Sequence, residues 1–408
     1  MLPGRRLSRV DVWDMKNTMK MFSVPHTPRE YYRVAVSVFF FILGLVFSSW
    51  AGRIPDVKSA LRLNDAQLGT ALFAIPLGAV AALTFAGVLV DRFGSRRTLL
   101  LALALYPLLL VCIGLAGSLW QLFAVLLCFG MAGNIGNIAV NTQAVGVERL
   151  YRRSIMASFH GLWSLAGVVG GVAGAVLANR GMTPEAHFCA VLAVALGLLL
   201  AMRRWLLPRE VTLGRPASPE RKTFVRPDLY LVLLGIIGFG SMGAEGAMYD
   251  WSSVYFASEV RPPEAWIRLG YIACMCAMVC GRFTADGMVN RYGVIPVLQI
   301  SGACIAVGLA LALVFPSLVP ATAGFALVGF GMASVVPLCY SLSGKSRRAT
   351  PGMALTLVSS ISFFGFLFCP PVIGFLSHAL DLRRALTPVV GFGLIIAFLA
   401  PLLRRYRA

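Results

Sequence analysis

The chain has 408 residues, 58% hydrophobic and only 13% charged, about half the charged share of a soluble domain. Its apolar runs, at about 20 residues each, are long enough to cross a bilayer as helices, which excludes an ordinary soluble fold. The net charge of +19 invites a nucleic-acid reading, but most of the 36 Lys and Arg fall in tails and loops on one side of the runs. That is the positive-inside bias of a membrane protein, and nucleic acid is not an expected partner.

The reading is an all-α membrane protein of twelve spans, predicted at 34–54, 66–90, 98–117, 119–143, 154–178, 187–207, 229–257, 266–286, 294–316, 318–341, 351–378 and 385–403. Residues 1–33 form a basic tail, read as cytoplasmic; the apolar run after it is full length and lacks a signal-peptide cleavage site. Two six-helix bundles are expected at 34–207 and 229–403, joined by a polar linker at 208–228 and followed by a short tail at 404–408. The nine cysteines include no C-x-x-C pair and read as small core residues, with no metal or cofactor expected.

Span 1 ends in Ser-Ser-Trp50-Ala-Gly-Arg53-Ile-Pro55-Asp56. Trp50 suits the outer interface and Pro55 a helix end. Arg53 has three readings: attraction of an anionic solute, pairing with Glu245, or snorkelling to the interface. Asn64 is placed to cap span 2.

Spans 2 and 3 are joined by Gly87-Val-Leu-Val-Asp91-Arg92-Phe-Gly94-Ser-Arg96-Arg97. Gly94 frees the backbone to turn, and the arginines hold the turn on the positively charged side. This hairpin resembles the loop signature of the major facilitator superfamily, in the place where that family carries it. The resemblance extends over residues 34–403. It implies a secondary carrier whose two halves rock about a central site, with spans 1, 4, 7 and 10 lining the cavity. The hairpin is then a cytoplasmic gate, Asp91 pairing across the seam when that side closes. Arg53-Ile-Pro-Asp56-Val-Lys58, Ser158-Phe-His-Gly-Leu-Trp163 and Glu245-Gly-Ala-Met-Tyr-Asp250-Trp-Ser are similar to the bacterial fucose-permease-like branch. Span 4 lacks the Arg found in many proton-coupled members, and glycine-rich span 5 lacks the Pro of the antiporter motif.

Span 4 carries Asn134, Asn137 and Asn141 on one helical face, either for a polar solute or for interhelical hydrogen bonds. Gln143 points the other way. In span 5, His160 either relays a proton or packs at a helix contact continued by Ser164, Gly167 and Gly171. Span 7 carries Glu245, about 24 Å along the helix, on one face with Gly238, Ser241, Tyr249 and Ser252. A carboxylate there is a candidate proton carrier, the alternative being a structural pair with Arg or a hydroxyl. Asp250 points elsewhere and is expected to cap or ion-pair at the outer end, with coupling as the minor reading.

The halves look related. Arg92-Phe-Gly94 recurs as Arg291-Tyr-Gly293, Ser118-Leu as Ser317-Leu, and Phe129-Gly-Met-Ala as Phe330-Gly-Met-Ala. Such repeats build many transporters. The second hairpin, with Asp286, Arg291 and Gly293, is degraded, lacking the double Arg. No Walker A or hydrolase motif is present, so neither ATP-driven transport nor enzyme chemistry is expected. The expected activity is proton-coupled transport of a small polar solute by a monomer in a bacterial inner membrane, both termini cytoplasmic. The alternatives are an efflux carrier for drugs or metabolites and a non-transporting sensor on the same scaffold.

Overall fold

The computed structural model describes residues 27–151, 155–208, 229–343, 346 and 351–406, apart from a few side chains within these helices, among them Asp91 and Asp286. The basic tail before residue 27, Ser154 and nearly all of the linker lie outside the described residues. Among the described residues, twelve helical segments are long and apolar enough to cross a membrane. Spans 1 to 6 are Pro28–Ala51, Asp65–Phe93, Ser95–Gly114, Leu119–Tyr151, Met156–Asn179 and Pro184–Met202. Spans 7 to 9 are Leu229–Tyr255, Leu269–Tyr292 and Val294–Val314. Span 10 is broken into Leu318–Met332 and Val335–Ser343; Pro351–Ala379 and Leu382–Arg404, the latter built around the helix Thr387–Leu399, complete the set. The chain ends and the Phe93–Ser95 turn share one side, here the tail side; the opposite side is the far side.

Capping fixes several ends. The Asn64 side chain accepts from Gln67 N at 2.8 Å while Gln67 Oε1 accepts from Asn64 N at 3.0 Å, so span 2 starts where expected. Span 1 differs. It stops at Ala51, and Pro55 opens a short helix, Ile54–Ala60, rather than ending one; its missing N–H costs nothing in a first turn. Span 4 runs past its predicted end at 143 to Tyr151, with the Gln143 amide bonded inside the bundle. Gln143 Nε2 donates to Ser95 Oγ at 2.7 Å and to the Leu207 carbonyl at 3.2 Å, and its Oε1 accepts from Leu207 N at 2.9 Å. That amide ties the turn before span 3 to the chain leaving span 6.

Spans 1–6 and 7–12 form two six-helix bundles built on one repeat. Gly94 and Gly293 both turn with φ of 83°, a conformation that penalises side chains. Arg92 lies 5.7 Å from the Phe93 ring and Arg291 lies 5.3 Å from that of Tyr292. Gly130 of span 4 seats against the Ile75 carbonyl of span 2, and Gly329 of span 10 against the Cys274 carbonyl of span 8. One register relates all these pairs. In that register Gly331 answers to Ala132 and Asn290 to Asp91. The Phe-Gly-Met-Ala similarity is therefore two residues out of step with the structural repeat, and Asp286 is no counterpart of Asp91.

The described polar ties between the bundles include a far-side group. Span 2 crosses span 11 so closely that a Cβ on Gly69 would stand 2.8 Å from the Gly374 Cα. Gly171 of span 5 leaves room for the Tyr271 ring, 2.9 Å from where its Cβ would be. Asn179 Nδ2 donates to the Ala265 carbonyl at 3.3 Å, and Ser377 donates to Asp65, which also holds Lys58.

The carbonyl-seating glycines make a stability prediction. Gly130→Val and Gly329→Val should each cost about 1–3 kcal/mol, the usual range for overpacking. A scan of the thermal midpoint in detergent checks this, with Gly197→Val as the control, since nothing stands within 4 Å of a Cβ there.

Candidate functional site

A cavity of about 240 Å3 lies among spans 1 to 5 and 11, walled by Phe47, Tyr106, Phe129, Trp163 and Phe366 with Asn134 and Asn137 as its amides. The expectation that spans 1, 4, 7 and 10 line it is only half met. Gly365 presses span 11 onto the Phe239 backbone of span 7, so Phe366 takes the wall position. Asn134 Nδ2 donates to the Ala79 carbonyl at 2.6 Å, which makes it an interhelical bond as well as a lining residue. Asn141 is spent within its own helix, donating to the Asn137 carbonyl at 2.8 Å and to its Oδ1 at 3.0 Å, and is not among the lining residues.

Span 7 packs against the rings that wall this cavity through Tyr249. Its ring is edge-on to Phe47 at 5.4 Å, Trp163 at 6.4 Å and Phe366 at 6.5 Å. The Tyr249 hydroxyl donates to Glu245 Oε1 at 2.7 Å, and Arg282 of span 8 places Nη2 3.8 Å from the same oxygen. Arg282 Nη1 donates to Ser164 Oγ, which in turn donates to the His160 carbonyl at 3.1 Å. Glu245 is 15% and Arg282 30% exposed. One carboxylate, one guanidinium and two hydroxyls thus form a chain from span 7 through span 8 to span 5, across the seam between the bundles. Sequence reasoning placed Glu245 but missed its partner. The signal was Arg282 itself, since a cation within a span needs a counter-charge at similar depth.

His160 sits one turn from Ser164, and its ring packs edge-on to Phe40 at 5.1 Å. Ser241 lies fully buried, its hydroxyl without a partner among the described residues, and does not line this cavity. Asp250 corrects the expectation of a cap or ion pair: it is buried in span 7, within electrostatic reach of Tyr271 and Cys369, and among the described residues it forms neither.

The far-side rim carries a second network. Asp56 lies 3.6 Å from Arg53 Nη1 and is also paired with Arg268 of the other bundle, whose Nε donates to the Gly52 carbonyl at 2.7 Å. Arg53 Nε donates to His187 Nδ1 at 3.2 Å and its Nη2 to the Met182 carbonyl at 2.9 Å. Burial lowers the Arg53 pKa from its ordinary value while Asp56 opposes the shift. Arg53 neither snorkels nor meets Glu245; at 2% exposure it is a buried strut. Trp50 is likewise not interfacial. Its indole is fully buried and its N–H has no partner among the described residues.

In the hairpin, helix runs through Gly87 and Asp91 to Phe93; the Asp91 side chain is outside the described residues, so its pairing is not seen. Arg96 donates to the Arg203 carbonyl at 3.2 Å, while Arg92 and Arg97 are exposed.

The Major Facilitator Superfamily model matches residues 35–349. The chain is 32% identical over 374 residues to the membrane protein MosC of Rhizobium meliloti, covering 92% of this chain and 90% of that one. To an uncharacterized MFS-type transporter of Yersinia pestis it is 33% identical, covering 86% and 91%. Among solved structures, the nucleoside transporter NupG as its D323A mutant superposes with a TM-score of 0.69 at 14% identity, over 91% of this chain and 99% of that one. An inward-facing, unoccupied bacterial homolog of the human lysosomal transporter Spinster gives 0.68 at 16%, over 94% and 98%. At those identities the superpositions speak for the fold. The sequence matches go further: the chain belongs to the Major Facilitator Superfamily and is a multi-pass membrane transporter, not an enzyme.

Proposed function

We propose that the protein couples proton movement to transport of a small polar solute by alternating access, with Glu245 as the proton carrier. The observation that carries this reading is the Glu245–Arg282–Ser164 chain, which crosses the seam between the bundles beside the cavity. An ionised Glu245 holds both the Arg282 charge and the Tyr249 hydroxyl. A proton on it cancels the ionic tie and leaves Arg282 on Ser164 alone, so proton occupancy sets how firmly span 7 is bound to span 5. His160, one turn away, is the secondary relay candidate. The solute is taken by Asn134 and Asn137 between the aromatic walls.

The positive-inside bias supports the tail side as cytoplasmic, with both termini there, and a bacterial inner membrane as the location. The far-side ties support an arrangement closed to the outside, held by Asp56 and Arg268. We assign the protein to the fucose-permease-like branch, as a monomer, its halves joined at 208–228 and Asp91 gating the cytoplasmic side. Five aromatic rings in the cavity wall favour a second reading, export of amphipathic compounds.

Two measurements test this. In proteoliposomes with an imposed pH gradient, Glu245→Gln should abolish uphill uptake, a loss of at least about tenfold, while counterflow exchange persists; undiminished gradient-driven uptake would remove Glu245 from the coupling role. Asp56→Asn should leave Arg268 without its counter-charge and raise hydrogen exchange of the Ile54–Ala60 helix by about tenfold, a shift of about 1.4 kcal/mol. Unchanged exchange there would mean the rim is not a gate.

A further inference from the structure

A second cavity lies away from the polar chain and the Asn134–Asn137 cavity. It is a cleft of about 620 Å3 between spans 2 and 3, floored by span 4, with Leu89, Phe93, Leu101, Leu105 and Met131 among its lining and Arg97 at its tail-side end. Its lip faces outward from the bundle: Leu101 is 63% and Leu105 42% exposed. From Arg97 to Leu109, the deepest lining residue of span 3, is about 18 Å along the helix. One leaflet of a bilayer core is about 15 Å, half of about 30 Å. The cleft therefore has the depth of a lipid tail and opens to the side where tails are.

The fold does not require this space. In the repeat register, Ala102, Ala132 and Ile135 of the cleft correspond to Ser301, Gly331 and Ser334. There the Ser301 and Ser334 hydroxyls bond at 3.1 Å, and a Cβ on Gly331 would stand 2.6 Å from the Ser301 carbonyl. At these three positions the second bundle is close-packed. The counterpart of Arg97 is Pro296, so the second bundle has no cation at this position. Within the cleft, the Thr98 hydroxyl is already spent on the Leu89 and Gly94 carbonyls at 3.2 and 3.0 Å. Arg97 remains as the charged group at the interface end, with exposed Arg92 beside it.

We infer that this cleft binds one acyl chain of an anionic phospholipid, whose phosphate is held by Arg97. An apolar slot running into the leaflet from a guanidinium at the headgroup level matches both parts of such a lipid.

The test is native mass spectrometry of the full chain, delipidated in detergent and offered phosphatidylglycerol or phosphatidylcholine of the same chain length. Phosphatidylglycerol should be retained roughly fivefold better, the order expected of one Arg near a membrane surface. Arg97→Gln should bring the two lipids to parity. Leu105→Trp, or Leu101→Trp at the more exposed lip, should fill the cleft and lower retention of both. Equal retention of both lipids by the unaltered protein would overturn the anionic assignment, as would a preference that survives Arg97→Gln. Retention unmoved by either Trp variant would place the lipid elsewhere and overturn the cleft.

Discussion

A guanidinium inside a membrane-spanning helix costs about 2.5–3.5 kcal/mol on insertion scales, and Arg282 is placed where that cost is offset twice. Glu245 supplies the counter-charge from span 7 and Ser164 a hydrogen bond from span 5. Neither partner alone uses the fork of donors that an arginine presents. Because the two partners belong to different bundles, satisfying one side chain fixes the seam at mid-depth. The aromatic wall around Tyr249, from spans 1, 5 and 11, then keeps the polar chain from open hydrocarbon.

Packing around this point relies on contacts too close for side chains. Span 4 can lie on span 2, and span 10 on span 8, because glycine lets a helix rest on a neighbour's carbonyl. Membrane helices gain little from burying apolar surface against one another, since lipid is as apolar as they are; close approach and polar bonds carry the association. The same device appears at equivalent positions in both halves, which makes the repeat visible in geometry where only short motifs survive in sequence.

The twelve spans were legible because length and hydropathy of a bilayer-crossing helix are local properties. So was the cap at Asn64, and so were the shared faces of Glu245 with Tyr249 on span 7 and of Asn134 with Asn137 on span 4, which spacing along one helix sets. What escaped was pairing between distant chain positions. Arg282 and Ser164 are 118 residues apart and Arg268 and Asp56 are 212 apart, and no periodicity reports such contacts. Arg53 and Trp50 were misplaced for a related reason: the interface rule assumes a helix end facing lipid, whereas this end is covered by span 6 and by the second bundle. The repeat was read correctly from the hairpins and two residues out at Phe330-Gly-Met-Ala, since a four-residue match carries no register of its own.

The far-side rim has a built-in fracture line. Arg53 is anchored three ways within the first bundle, to Asp56, His187 and the Met182 carbonyl, whereas Arg268 reaches across to Asp56 and the Gly52 carbonyl. In the alternating access proposed above, Asp56 would keep one arginine and surrender the other. The Arg53–Asp56 pair would then stay together within the first bundle, and Arg268 of the other half would be the cation left without its carboxylate.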